Sequence, residues 1–192
     1  MENNIKDKLK KEEILTIPNF LSFFRILLIP VMAVLYSFFE SHIAAVVVIV
    51  LSGITDILDG KIARKFNMVS DFGKFIDPVA DKLTQLAMIL CLLAEYAGML
   101  SLVILMVLKE SFLFAFSYVN FKRTGVVNSA KWYGKVTTAF LYAVMVVLFL
   151  FPGIPLAAAN ALIVLCGGMI CASLVLYSRM FYLSLKENVK TV

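Results

Sequence analysis

Charged residues are scarce in this sequence. Only 16% of its 192 residues are Asp, Glu, Lys or Arg, whereas 61% are hydrophobic, and the mean hydropathy is +0.93. Soluble domains are about 45 to 50% apolar and about 25% charged. The shortage of charge argues against a water-soluble globular enzyme and predicts a polytopic helical membrane protein.

Cysteine and histidine are also rare. The chain has three cysteines and one histidine, and the cysteines lie inside apolar runs without CxxC spacing. A disulfide framework or a zinc site would need paired thiols or neighbouring imidazoles. The pattern therefore predicts apolar packing for Cys91, Cys166 and Cys171.

Long apolar runs separated by helix breakers dominate what remains. They cover residues 20–39, 43–63, 72–94, 99–121, 136–151 and 156–183. Each is long enough to be a membrane-spanning helix or close to it. We therefore predict an all-α polytopic membrane protein with one domain over residues 1–192. In this prediction residues 1–16 form an amphipathic juxtamembrane segment and residues 17–185 form a bundle of six transmembrane helices.

The basic residues are unevenly distributed among the connections. They concentrate before the first run, after the second, between the fourth and fifth, and after the sixth, whereas residues 40–42, 95–98 and 152–155 contain no Lys or Arg. By the positive-inside rule, both termini and the basic links face the cytoplasm of a cell membrane. The net charge of +5 is then explained by topology and contact with anionic membrane lipids, and no nucleic-acid partner is expected.

Four aspartates fall where two apolar runs meet at a short link. Asp56 and Asp59 are three residues apart, and Asp77 and Asp81 are four apart, so each pair occupies one face of its helix. The short link makes the two helices antiparallel neighbours. Because ionised carboxylates near hydrocarbon are costly without partners, we expect all four to converge in a polar site near the cytoplasmic surface.

Converging carboxylates require cations between them. Oxygen-only ligands favour hard divalent ions, and two such ions bridged by carboxylates are a recurring arrangement for displacement at phosphorus. An alternative is a purely structural set of salt bridges with Lys61, Arg64, Lys74 and Lys82. A small cation transporter is a further alternative, although the chain has no internal repeat and its carboxylates are shallow.

The residues around these aspartates form a longer pattern. Residues 56–81 read D-x2-D-G-x2-A-R-x8-G-x3-D-x3-D, which resembles the signature of the CDP-alcohol phosphotransferase family. The opening segment, with Asn19, Ser22 and Arg25, is similar to the N-x-x-[ST]-x-x-R start of bacterial phospholipid synthases in that family.

The resemblance implies a reaction and a set of roles. A substituted phosphate would pass from CDP-diacylglycerol to a polar alcohol with release of CMP, in a protein that forms a homodimer. The implied ligands of two divalent cations, Mg²⁺ or Mn²⁺, are Asp56, Asp59, Asp77 and Asp81, and Asp81 is also the implied general base. The implied CDP-donor-binding residues are Gly60, Ala63, Arg64, Gly73, Asn19 and Arg25.

The acceptor is predicted from a second resemblance. Residues 129–138 resemble a stretch of the phosphatidylglycerophosphate synthases, which implies glycerol 3-phosphate as acceptor and Lys109, Arg123, Lys131 and Lys135 as acceptor-binding residues. Lys109 and Ser117 stand where those enzymes usually carry arginine, which binds phosphate in a bidentate way. The alternative is a cardiolipin synthase of the CDP-alcohol type, with phosphatidylglycerol as acceptor.

Overall fold

A computed structural model describes residues 16–66, 71–124 and 131–189. In these ranges it contains helices and no strand, which confirms the predicted all-α class. Each predicted apolar run lies within one helix, apart from one or two residues at run ends. The predicted juxtamembrane segment lies, except for Thr16, outside the described residues. The helices are α1 (Ile17–Ser37), α2 (His42–Lys65), α3 (Asp71–Leu93), α4 (Met99–Thr124), α5 (Trp132–Leu150) and α6 (Leu156–Val189).

Membrane-spanning character is clear in most of these helices. Among the described residues, five helices are long and apolar enough to cross a membrane. The remaining helix, α3, carries several charged residues along its first half, so it does not meet the same standard of apolarity. Large apolar side chains are exposed on the spanning helices, among them Phe20, Leu27, Phe114, Val164 and Val175. The chain is thus a multi-pass membrane protein, and the predicted count of six spans is approximate.

The chain divides into two compact units. The first consists of Met1–Cys91 and Phe149–Pro152, and the second of Leu92–Leu148 and Gly153–Val192. The first unit therefore holds α1, α2 and most of α3, while the second holds α4, most of α5, and α6.

In the first unit, α1 packs along α2. The Thr16 hydroxyl caps α1 by accepting a hydrogen bond from the backbone N–H of Asn19 at 3.4 Å, and Pro18 lies in the first turn, where a missing N–H costs nothing. The chain reverses after α1 through Glu40, whose φ of 49° is left-handed. Met32 of α1 and Ala45 and Ile49 of α2 are buried. The cap fixes the residue at which α1 begins, and with it the positions of the polar residues along this helix.

In the second unit, α4 packs against α6, and the two helices run in the same direction. The contacts advance together along both helices: Gly98 lies against Ile163, Leu105 against Gly167, and Phe116 against Phe181. An added Cβ on either glycine would come within 3.4 Å of the facing side chain. Glycine thus lies at two of these contacts, as is common between helices in membranes.

Candidate active site

The candidate site is built around Arg25 of α1. One guanidinium nitrogen, Nη1, pairs with Oδ1 of Asp56, and the other, Nη2, pairs with Oδ2 of Asp59. The side chains of Arg25 and Asp59 are only 2% and 3% exposed, whereas that of Asp56 is 50% exposed. A single buried guanidinium therefore bridges both carboxylates of α2, which leave the helix on one face because they are three residues apart.

One turn before Arg25, Ser22 connects α1 to α3. Its buried hydroxyl lies within hydrogen-bond distance of Oδ1 of Asp77 and 3.1 Å from the carbonyl oxygen of Pro18. Having one proton, it donates to one of these acceptors at a time. Asn19, one turn earlier still, is also buried. The buried polar face of α1 therefore presents Asn19, Ser22 and Arg25 at three-residue spacing.

Asp81 completes the acidic group of the first unit. Nε2 of Gln85, one turn later on α3, donates to Oδ2 of Asp81 at 2.9 Å, and Nζ of Lys82 lies 3.9 Å from the same oxygen. The carboxylates of Asp77 and Asp81 are close enough to that of Asp56 to interact with it electrostatically. Asp59 interacts in the same way with Asp77. The first unit therefore brings the four motif aspartates into one electrostatic cluster.

The donor set of this cluster fits a hard divalent cation, because it offers carboxylate oxygens and no nitrogen or sulfur. Within the described ranges, no three acidic, histidine or cysteine side chains are grouped so that they could hold one metal ion. The guanidinium of Arg25 lies between Asp56 and Asp59, where a bridging ion would otherwise contact both. The oxygen chemistry therefore suits a hard cation, whereas the described carboxylates are not grouped around one ion position and two of them pair with Arg25.

The alternative salt-bridge interpretation names four basic residues, of which Lys61 and Lys82 have described side chains. Lys61 is exposed, and Lys82 approaches its own neighbour Asp81. The side chains of Arg64 and Lys74 lie outside the described atoms. The cation that pairs with both α2 carboxylates comes instead from α1.

The predicted donor-binding small residues flank the cluster on α2 and α3. Gly60 directly follows Asp59, and Gly60 and Ala63 are half-buried. Gly73 is buried in the first turn of α3, one turn before Asp77. Side-chain bulk is therefore missing beside the carboxylates on both helices.

The predicted acceptor-binding residues lie in the second unit. Lys109 of α4 is buried, and its Nζ is 3.2 Å from a carboxylate oxygen of Glu110. Lys131 and Lys135 are exposed at the start of α5, and the side chain of Arg123 lies outside the described atoms. Of the three whose side chains are described, Lys109 is the buried one.

A tyrosine of α6 supports the start of α5. The Tyr177 hydroxyl accepts a hydrogen bond from the backbone N–H of Lys131 at 3.3 Å. Its ring packs edge-on against Tyr133, with ring centroids 4.6 Å apart. Gly134 has no side chain where the hydroxyl lies, so the first turn of α5 can approach α6 closely.

Sequence reasoning assigned no role to Ser22 or Gln85, although both contact motif aspartates. A signal for Ser22 was present, because it lies midway between Asn19 and Arg25 at helical spacing. Gln85 follows Asp81 by four residues, which is also the spacing of a same-face contact. Neither spacing indicates by itself that a polar side chain touches a carboxylate rather than packing elsewhere.

The chain was compared with known proteins. A family model described as CDP-alcohol phosphatidyltransferase matches residues 15–177. A Bacillus subtilis protein named CDP-diacylglycerol--glycerol-3-phosphate 3-phosphatidyltransferase is 31% identical over 136 residues, which cover 64% of this chain and 70% of the relative. A Rickettsia typhi protein of the same name is 46% identical over 70 residues, 35% of this chain and 39% of the relative.

A further relative is named for a different acceptor. A Schizosaccharomyces pombe cardiolipin synthase (CMP-forming) / mitochondrial hydrolase fusion protein is 37% identical over 113 residues, 58% of this chain and 19% of that protein. The chain spans less than half the length of the Rickettsia and Schizosaccharomyces relatives. The family model covers most of the chain, and the Bacillus relative is matched over more than two thirds of its length. On these grounds the chain belongs to the CDP-alcohol phosphatidyltransferase family.

Proposed function

We propose that this protein transfers the phosphatidyl group of CDP-diacylglycerol to glycerol 3-phosphate, forming phosphatidylglycerophosphate and releasing CMP. The observation that carries the proposal is the cluster of four aspartates in the first unit, at the spacings of the family signature. The names of the Bacillus and Rickettsia relatives support the same reaction.

The acidic cluster is the proposed metal centre. Asp56, Asp59, Asp77 and Asp81 would hold two divalent cations, Mg²⁺ or Mn²⁺, and divalent-cation dependence is general in the family. Bound there, these ions would polarise the donor diphosphate and offset the charge that develops on departing CMP. The aspartates thus act by positioning and electrostatics, which dominate catalysis of transfer at phosphorus.

Asp81 is the proposed general base. The acceptor hydroxyl oxygen forms a bond to the phosphorus that carries the diacylglycerol, and the bond from that phosphorus to the bridging oxygen breaks, so that CMP leaves with the oxygen. Asp81 takes the proton of the attacking hydroxyl. The hydrogen bond from Gln85 to Oδ2 of Asp81 supports this role, since it orients the carboxylate.

The donor nucleotide is proposed to lie beside α2 and α3. The missing side chains of Gly60 and Gly73 and the short one of Ala63 would let a ligand approach the backbone. Arg64 would neutralise phosphate charge. Asn19 and Arg25 are proposed for the same pocket because both are buried on the face of α1 that meets the carboxylates.

The acceptor phosphate is proposed to meet basic residues of the second unit. Lys109 is the strongest candidate, because a buried ammonium would interact with an anion more strongly than an exposed one. Arg123, Lys131 and Lys135 would add positive charge near the cytoplasmic surface.

A cardiolipin synthase activity, with phosphatidylglycerol as acceptor, is the second candidate. The specific observation in its favour is that Lys109 is paired with Glu110 at 3.2 Å, so its charge is already partly compensated. Such a lysine is a weaker clamp for a dianionic acceptor than a bidentate arginine. The name of the Schizosaccharomyces relative is consistent with this alternative.

The site is proposed to face the cytoplasm of a cell membrane. The links between α2 and α3 and between α4 and α5 are basic, whereas the three other links lack Lys and Arg. We also propose a homodimer, which rests on the family resemblance alone.

CMP release by the purified protein tests the proposed function. CDP-diacylglycerol is supplied with Mg²⁺ or Mn²⁺ and with glycerol 3-phosphate, phosphatidylglycerol, inositol phosphate or serine as acceptor. Release only with glycerol 3-phosphate supports the main proposal, and release only with phosphatidylglycerol supports the second. No release with any acceptor in either metal contradicts both, and a chelator control establishes the metal dependence.

A further inference from the structure

We propose that Arg25 is an internal counter-cation for the Asp56–Asp59 pair, and that a divalent ion must displace its guanidinium before both carboxylates can bind the ion. The inference deepens the proposed function, on which it rests for the assignment of these aspartates as metal ligands. It assigns Arg25 a positioning role that is separate from contact with the donor.

The first support for the inference is the way in which the guanidinium is paired. Its two Nη atoms pair with carboxylates from two different aspartates, rather than with both oxygens of one. The planar guanidinium therefore lies across the gap between Asp56 and Asp59. An ion that bridged Oδ1 of Asp56 and Oδ2 of Asp59 would need the same gap, so the guanidinium and such an ion exclude one another.

Charge and burial explain why the pair holds a cation. Asp59 and Arg25 are both almost completely buried, and a buried charge without a partner is strongly destabilising. Arg25 comes from α1 and the aspartates from α2, so the ion pairs also join the two helices. One guanidinium leaves the pair with a net charge of −1, whereas a divalent ion would neutralise it completely.

The position of Arg25 also leaves one of its donors unsatisfied. Nε is buried and has no hydrogen-bond partner among the described residues. A buried donor without an acceptor disfavours the conformation that holds it. Displacement of the guanidinium by an ion would allow this donor to find an acceptor elsewhere.

The consequence is a lowered apparent metal affinity. When only a fraction of molecules has the carboxylates available, the apparent dissociation constant rises by the inverse of that fraction. If Arg25 covers the pair in about nine molecules of ten, removing it tightens metal binding about tenfold.

Manganese binding without any substrate tests this directly. Mn²⁺ is titrated into full-length protein in lipid nanodiscs, and free Mn²⁺ is quantified by its electron paramagnetic resonance signal. Arg25→Gln is expected to bind Mn²⁺ about tenfold more tightly than wild type. Arg25→Lys keeps the charge but, as a point charge, does not span both carboxylates, so it is expected to bind more tightly than wild type and less tightly than Arg25→Gln. Arg179→Gln removes an equal charge from an exposed position of α6 and is expected to match wild type.

Unchanged or weaker binding by a folded Arg25→Gln protein overturns the inference, as does an equal gain in Arg179→Gln. If Arg25→Gln does not fold, Arg25→Lys decides: tighter binding than wild type supports the inference, and equal or weaker binding overturns it. Absence of Mn²⁺ binding by every variant also overturns it. Because no substrate is present, the result is separate from CMP release: tighter binding without CMP release would refute only the proposed reaction, and CMP release with unchanged binding would refute only the role of Arg25.

Discussion

Replacing Gly134 by alanine would place a methyl group against the hydroxyl of Tyr177. The new Cβ would overlap the hydroxyl oxygen. The nearest ring carbons of Tyr177 would lie 3.3 Å from the new Cβ. The ring is buried and packs against Tyr133, so it has little room to move away. We therefore expect Gly134→Ala to strain the contact between α5 and α6, and Tyr177→Phe to relieve that strain.

The magnitudes follow from two opposing terms. Overpacking a buried contact costs about 1 to 3 kcal/mol, whereas alanine is favoured over glycine in a helix by about 1 kcal/mol. Gly134→Ala is thus expected to destabilise the protein by about 0 to 2 kcal/mol. Tyr177→Phe removes the acceptor of the Lys131 N–H and is expected to cost about 0.5 to 1.5 kcal/mol. With the hydroxyl gone, the alanine is expected to be neutral or to stabilise by up to about 1 kcal/mol.

A double-mutant cycle measures the coupling. The free energy of unfolding is obtained for wild type, both single variants and the double variant, by SDS titration in mixed micelles followed by circular dichroism. The double variant is expected to be more stable than additivity predicts by about 1 to 3 kcal/mol, which is the overpacking that Tyr177→Phe relieves. Gly168→Ala is the matched control, because an added Cβ there meets nothing within 4 Å.

The control, Gly168→Ala, is expected to change the free energy of unfolding by the same amount whether position 177 is Tyr or Phe. A coupling free energy below about 0.5 kcal/mol between Gly134→Ala and Tyr177→Phe would refute the reasoning, because distant and independent sites are additive to that level. An equal coupling for Gly168→Ala would show that Tyr177→Phe changes the unit generally rather than relieving one contact.

Three further predictions concern the proposed reaction. Asp81→Asn is expected to lower CMP release about 10²- to 10⁴-fold and to preserve Mn²⁺-dependent CDP-diacylglycerol binding, measured by equilibrium binding, better than turnover; normal turnover would remove Asp81 as base. Gly60→Leu is expected to weaken donor binding at least about tenfold, since a clash of about 1.4 kcal/mol or more is within the usual range for overpacking. Wild-type donor affinity in a folded Gly60→Leu protein would contradict the placement of CDP beside α2. Lys109→Gln is expected to raise KM for glycerol 3-phosphate about tenfold or more, since hydrogen bonds to charged groups contribute about 1.5 to 3 kcal/mol, with a smaller effect for phosphatidylglycerol. Equal effects on the two acceptors would argue against a role for Lys109 in binding the acceptor phosphate.

Most of the helical architecture could be predicted from the sequence. The predicted run 43–63 became His42–Lys65, and the run 99–121 became Met99–Thr124. The agreement has a physical reason: in a membrane, each helix must satisfy its backbone hydrogen bonds internally, so local apolarity determines its extent. The count of spans is approximate because α3 has a helical pattern but also carries charged residues. Apolarity alone does not classify such a helix as membrane-spanning.

The sequence by itself determined which residue types meet in the site. Within one helix, spacings of three and four residues fix a common face, so the pairing of Asp56 with Asp59 and of Asp77 with Asp81 needed no tertiary information. Tertiary structure decided which side chains of α1 touch these carboxylates. Arg25 pairs with Asp56 across 31 positions of the chain, and a seryl hydroxyl of α1 reaches Asp77 across 55. Such contacts depend on the rotation and depth of α1 relative to α2 and α3, which arise from the packing of whole helices and are not encoded in the spacing within any one of them.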